Sequence, residues 1–293
     1  MTGRSALGGS SLPRPLRRGV RSVALATRLP TAGLRTLPTF LIIGAQRSGT
    51  TSLYYYLERH RDVYGPVRDK GVHYFDTDYG RSVAWYRSHF PLRARLERSG
   101  RPWAVGEASP YYLFHPEIPA RVARLVPGVR AIAILRDPVQ RTVSHHHHEV
   151  ARGHEHLPLG RALDAEAERL AGEAELLAAD PTAVSYPHMH HGYVARSLYA
   201  PQIERWLEYV APEQLLLLRT EDLQRDPIAT LGRVTDFLGV EPLPPADYPI
   251  YNERSYDDVD PDIVAELGER FADSEARVAE LIALTDQARA DHP

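Results

Sequence analysis

"FLIIGAQRSGTTSL", residues 40–53, decides the fold. A short apolar run ends at Gly44, a loop of small and polar residues follows, and "TTSLYYYLERH" (50–60) then reads as a helix. Gly44 and Gly49 occupy the two glycine positions of a G-x-x-x-x-G-K-[ST] phosphate loop, and Thr51 holds its hydroxyl position. The lysine position is Thr50. Gly44, Ser48 and Gly49 let backbone N–H groups approach an anion, and the helix start adds partial positive charge. The hydroxyls of Ser48, Thr50, Thr51 and Ser52 are further donors, and Arg47 offers a charge inside the loop. Alone, the stretch also fits a glycine-rich turn without a ligand.

Two more apolar runs have the continuous character of strands buried in a parallel sheet: "VRAIAILRD" (129–137) and "EQLLLLRTEDL" (213–223). Pro138 opens a helix after the first of these. Helical patterns cover 116–126, 160–178, 195–210, 226–238 and 261–289, with Leu231, Val234, Phe237 and Leu238 as core. Strands alternating with helices predict an α/β fold, a P-loop-like parallel sheet flanked by helices on both faces. Ligands of such sheets sit beyond the carboxyl ends of the strands. The first run delivers loop 44–51 to that edge, and the second delivers Arg136 and Asp137.

Composition narrows the chemistry. The 293 residues include no cysteine, which excludes disulfides and thiolate chemistry, and no apolar run of about 18 residues predicts a membrane span. Lys70 is the only lysine. Residues 1–37 hold seven arginines and no acid, and are expected to be a basic, mostly disordered arm; 38–293 are expected to form one domain. In the arm, Leu16, Val20, Val23, Ala24 and Leu29 form an apolar stripe compatible with touching an anionic membrane, the minor reading. Beyond the arm, 28 basic residues face 38 acidic ones, which argues against nucleic acid as a partner. The cytoplasm of a bacterium is the expected location. The sequence specifies no oligomeric state.

Two further stretches carry candidate chemistry. In "LRDPVQRTVSHHHH" (135–148), Arg136 at a strand end and Ser144 two turns into the next helix suit a second anion, although an Arg136 or Arg141 salt bridge is the alternative. "RDKGVHYFDTDYG" (68–80) sets Lys70 and His73 together. The histidine run 145–148 points in four directions about 100° apart, so it cannot ligate one ion as a unit, and no metal is expected; two of these residues with His154 are the remaining metal possibility.

Together the three stretches resemble PAPS-dependent sulfotransferases of the bacterial and heparan-sulfate-sulfotransferase-like branch. "IIGAQRSGTTSL" is similar to that family's 5′-phosphosulfate loop, "ILRDPVQRTVSHH" to its 3′-phosphate motif, and "KGVHYFD" to its K-E-x-H-[FY]-F segment. "GEASPYYLFHP" (106–116) and residues 196–240 resemble its acceptor-side and C-terminal stretches, so the likeness runs over about 39–256. The resemblance implies 3′-phosphoadenosine 5′-phosphosulfate (PAPS) as donor, PAP as product, no required metal, and a small-molecule or glycan acceptor. A donor with one 5′ phosphate needs no Walker lysine. By resemblance, Arg47, Ser48, Gly49, Thr50, Thr51 and Ser52 hold the 5′ phosphosulfate, Arg136 and Ser144 the 3′ phosphate, and Arg254 belongs to a closing loop.

One departure matters. The family's glutamate after the lysine, proposed there as the base, is Gly71 here. His73 is the first replacement, because a neutral imidazole suits base work near pH 7. Glu107 and Asp69 come next, with Lys70 neutralising charge. A catalytically weak or dead PAPS- or PAP-binding relative, and a P-loop kinase or NTPase, remain the alternatives.

Overall fold

The computed structural model describes residues 25–244, 246, 248, 249 and 259–292. Its one sheet comprises β1 (Phe40–Gly44), β2 (Val63–Tyr64), β3 (Ala104–Ala108), β4 (Arg130–Leu135) and β5 (Leu215–Arg219). The order is β2-β3-β1-β4-β5, and every neighbouring pair is parallel. The helices described are α1 (Thr50–Glu58), α2 (Val83–Ser88), α3 (Arg93–Glu97), α4 (Ile118–Leu125), α5 (Pro138–Arg152), α6 (Leu159–Leu170), α7 (Glu173–Ala179), α8 (Tyr186–His190), α9 (Tyr199–Leu207), α10 (Thr220–Arg225), α11 (Pro227–Leu238) and α12 (Pro261–Asp291).

β1 is central because both of its faces are apolar. Successive strand side chains alternate between faces. Phe40 and Ile42 therefore join Leu53 and Leu57 of α1 and Leu231 and Val234 of α11, while Leu41 and Ile43 join Val122 of α4, Ile203 and Trp206 of α9 and Leu281 of α12. All four β1 side chains are at most 1% exposed. Each contributes about 1.5–3 kcal/mol by leaving water. The chain leaves β1 toward β3 on one side and returns to β4 on the other. The crevice where strand order reverses thus opens at the carboxyl end of β1, where loop 44–50 emerges.

The expected parallel sheet with helices on both faces is present, with two strands the sequence did not reveal. β2 is two residues long, and β3 reads "AVGEA", with a glycine and a glutamate where an apolar run was sought. The run 213–223 is strand only through Arg219; Glu221 and Asp222 favour the N-terminus of α10. The helix expected over 160–178 is two helices, broken where Gly172 takes φ +78°. Phe237 and its helical neighbours Leu231, Val234 and Leu238 are buried, as their spacing predicts.

The expectation of disorder through residue 37 fails from Leu25 onward. A 3₁₀ turn spans Leu29–Leu34, Leu25 and Ala32 are buried, and Thr36 N donates to Pro91 O at 3.1 Å. The arginines here do not solvate a loose arm. Arg28 donates to Ser88 O (2.6 Å) and Phe90 O (2.5 Å), and Arg35 donates to Phe90 O (2.9 Å), covering carbonyls at and just beyond the C-terminal end of α2. Charged donors of this kind are worth about 1.5–3 kcal/mol. Arg28→Ala is therefore expected to lower unfolding free energy by about 1–3 kcal/mol in urea titration. The exposed Arg93→Ala is expected to stay within about 0.5 kcal/mol of wild type. Equal midpoints for the two variants would contradict the docking role of Arg28.

Candidate active site

Loop 44–50 is fixed from below. Thr220 Oγ1, just past β5, donates to Ser48 O (2.7 Å) and lies 3.0 Å from Leu135 O at the end of β4. Gly49, in the left-handed region at φ +92°, precedes α1 and supplies no side-chain cap. The first N–H groups of α1 are thus left for an anion. Ser48, Thr50 and Ser52 are buried, whereas Gln46, Arg47, Gly49 and Thr51 are half-buried at the loop surface. Burial of Ser48, Thr50 and Ser52 leaves Thr51 as the most accessible of the four expected hydroxyl donors. Thr51 accepts from Lys70 Nζ at 2.7 Å.

Arg47 joins the two predicted anion sites. Its backbone sits at φ +72°, an uncommon conformation for a residue with a side chain. Its Nε donates to Ser144 Oγ at 3.0 Å, and Nη1 lies 3.5 Å from His148 Nδ1. Ser144 is fully buried beneath this guanidinium. Arg136 donates to Gln140 Oε1 at 3.0 Å. Among the described residues the alternative salt bridge to a helix carboxylate is not formed: Arg141 is buried against Ser197 Oγ (2.5 Å) and the Tyr193 carbonyl. Among the described residues, Arg47, Lys70 and Arg136 have no carboxylate partner. Arg254 lies outside the described residues.

The Lys70–His73 loop is anchored by Glu107. This carboxylate, fully buried on β3, accepts from Val72 N (2.5 Å), Tyr86 Oη (2.6 Å), Ser109 Oγ (2.9 Å) and Tyr112 Oη (3.3 Å). Burial raises its pKa, against the pull of those donors. With its oxygens occupied and out of solvent, Glu107 holds the loop; it does not meet an acceptor, contrary to its place among the expected bases. Asp69 is exposed and acts on His89. Burial lowers the Lys70 ammonium to about 8.

His73 projects from this loop at φ +58°, with its side chain 46% exposed. Its Nδ1 lies 2.8 Å from Oδ2 of the buried Asp76. Desolvation lowers the imidazole pKa, but the hydrogen bond and charge of Asp76, helped by Glu107 and Asp78, outweigh it and raise the value to about 9. The expected neutral imidazole at pH 7 is corrected to a protonated one. Asp76 stands three residues after His73 in "HYFD", and that spacing is the signal in the sequence for the pair.

Arg196 opens the stretch 196–240, where nothing local ties it to the phosphate loop. It is buried, donates to Gln46 Oε1 (2.5 Å) and Met189 O (2.9 Å), and lies over the Tyr111 ring at 4.9 Å. Tyr111 packs here and its hydroxyl meets His188 Nδ1 at 2.6 Å, whereas Tyr112 serves Glu107. The site therefore combines an uncapped helix start, unpaired cations from three chain segments, and an imidazole–carboxylate pair.

A family model describing the sulfotransferase domain matches residues 37–257. The crystal structure of a sulfotransferase from Alicyclobacillus acidocaldarius is 30% identical with a TM-score of 0.67, covering 85% of this chain and 96% of that one. A membrane-associated sulfotransferase of Dictyostelium discoideum is 26% identical, over 87% of this chain and 68% of its own length. A human bifunctional heparan sulfate N-deacetylase/N-sulfotransferase is 34% identical over 70% of this chain, which spans only 23% of that relative's length.

Gly71 is the position where a lost base invites repair, and the geometry forbids it. Its φ is not positive; the obstacle is contact. A Cβ there would lie 2.7 Å from Ala108 O and 2.8 Å from Ser109 Oγ. Gly71→Ala is expected to destabilise by about 1–3 kcal/mol in urea unfolding, as overpacking does. Gly71→Glu is expected to fall below wild-type activity. An unchanged unfolding midpoint for Gly71→Ala would show that the loop shifts freely.

Proposed function

This chain belongs to the sulfotransferase domain family, and on that premise we propose that it moves a sulfuryl group from PAPS to a hydroxyl or amine of a small-molecule or carbohydrate acceptor. One observation carries the reading: among the described residues, cations from three chain segments, none paired with a carboxylate, stand at the sheet edge that also holds a helix start with no side-chain cap. Their charge awaits an anion with two separated groups. The backbone N–H groups at the start of α1, with Arg47 and Lys70, suit the 5′ phosphosulfate. Arg136 and Ser144 suit the 3′ phosphate, once its charge draws the Arg47 guanidinium off the serine. Arg254 is retained as a candidate closing residue.

In the transfer, the acceptor oxygen or nitrogen forms a bond to sulfur. The bond from sulfur to the 5′-phosphate oxygen breaks, with its electron pair left on PAP. The acceptor's proton passes to His73 Nε2, whose Nδ1 is steadied by Asp76. Lys70, at Thr51, offsets charge on the departing phosphate. Positioning and electrostatics account for the acceleration, as in phosphoryl transfer.

The donor is tested by thermal shift. PAP at about 100 times its Kd is expected to stabilise the fold by roughly 2.7 kcal/mol. AMP, which lacks the 3′ phosphate, is expected to bind more weakly. Arg136→Ala is expected to weaken PAP by about 1.5–3 kcal/mol and to leave AMP almost unchanged. A shift with Mg-ATP and none with PAP would replace the sulfotransferase reading with a kinase one.

The base is tested by the pH profile, using labelled PAPS and an acceptor found by screening phenols, amines and oligosaccharides. A base must be deprotonated to act. The raised pKa of His73 therefore moves the acidic limb upward: log kcat/KM is expected to climb to about pH 9. A plateau from about pH 6.5, the ordinary histidine value, would contradict this. His73→Ala is expected to lower kcat by roughly 10²–10⁴ with PAP affinity unchanged.

A further inference from the structure

A second polar cluster lies beside the cleft, outside the machinery described above. Glu149 projects from the last turn of α5, His154 follows that helix, and His190 ends α8. One ligand atom from each of the three lies within 4.8 Å of the others. Glu149 is 1% exposed, and its Oε2 is 2.8 Å from His190 Nδ1. His145 Nε2 approaches the other carboxylate oxygen at 3.3 Å. The His154 ring stacks on His190 with centroids 4.2 Å apart, and Tyr186 Oη meets His154 Nδ1 at 3.0 Å.

We propose that Glu149, His154 and His190 bind a divalent transition-metal ion, with zinc the best match. Two imidazoles and one carboxylate are a donor set that zinc takes in three-ligand sites, leaving a fourth position for water. A buried carboxylate needs a cation or strong donors close by. No lysine or arginine forms an ion pair with Glu149 among the described residues. The arrangement also has the supports that metal sites use: Tyr186 fixes the His154 ring, and His145 holds the far oxygen of Glu149. The expectation of no metal rested on the four-histidine run, whose members diverge. The three residues here come from separate segments and use none of that run as ligands.

The ion's role follows from its neighbours. His145 Nε2 lies 3.4 Å from Arg196 Nη1, which also donates to Met189 O and to Gln46 of the phosphate loop. A metal at Glu149, His154 and His190 ties α5 to α8 and stiffens the wall from which Arg196 reaches Gln46. It is a brace and takes no part in the transfer.

The full chain, stripped with EDTA and dialysed, is titrated with Co²⁺, and Zn²⁺ is then added as competitor. One Co²⁺ per chain with the intense visible bands of four-coordinate cobalt, displaced by Zn²⁺, is expected. Zn²⁺ at about 100 times its Kd is expected to raise Tm by roughly 5–10 °C. His154→Ala and His190→Ala are each expected to weaken binding at least ~100-fold, the upper end of what losing only a supporting partner costs. His147→Ala, on the exposed face of the histidine run, is expected to leave binding unchanged. Circular dichroism checks folding; if His190→Ala does not fold, the half-buried His154→Ala decides. No stoichiometric binding by wild type would overturn the proposal. Binding that survives His154→Ala, or is lost in His147→Ala, would assign the metal to the histidine run and overturn it equally.

Discussion

The active site depends on one buried carboxylate. Among the described residues, the fully buried Glu107 has no arginine or lysine partner, and four hydrogen-bond donors come to it. One of them is the backbone N–H of Val72. That bond draws the 70–73 loop against the end of β3, where Lys70 O also accepts from Ala108 N at 2.7 Å. The loop lies so close that Gly71 has no room for a side chain, while Lys70 reaches Thr51 and His73 reaches Asp76. A residue that reads in sequence as a candidate base is the reason another residue is in place to be one.

Strain marks the same region. Arg47 and His73 are the described non-glycine residues with positive φ, and both carry charge into the cleft. Conformations of this kind cost of order 1–3 kcal/mol each and persist where surrounding structure holds them. For Arg47 the restraint is its loop, pinned by Thr220, and the contact with the buried Ser144. For His73 it is the bond to Asp76 and the Glu107 anchor one residue earlier.

Net charge is a poor guide to such a site. The chain is acidic overall, at −3, yet Arg47, Lys70, Arg136, Arg196 and a protonated His73 gather at one edge of the sheet. Low-dielectric walls on both sides focus that local potential. Asp76 and Glu107 are buried beside these cations, while other acids form ion pairs along surface helices such as Arg93–Glu97 and Arg277–Glu280.

The sequence by itself determined the sheet's centre and the place of the site. Short continuous apolar runs suit strands buried on two faces, and a glycine-rich turn leading from strand to helix lies at the carboxyl edge. These are local properties: residue size, period and the unsatisfied N–H groups of a helix start. The tertiary structure alone decided the edge strands, since β2 and β3 are held by ladders to neighbours and not by apolar patterning. It also ordered residues 25–37, because the value of Arg28 depends on carbonyls sixty residues away. The same holds for protonation. His73 has the same side chain in any context, but a buried Asp76, the neighbouring Glu107 and partial desolvation together set its proton affinity, and those are distances that only the folded chain possesses.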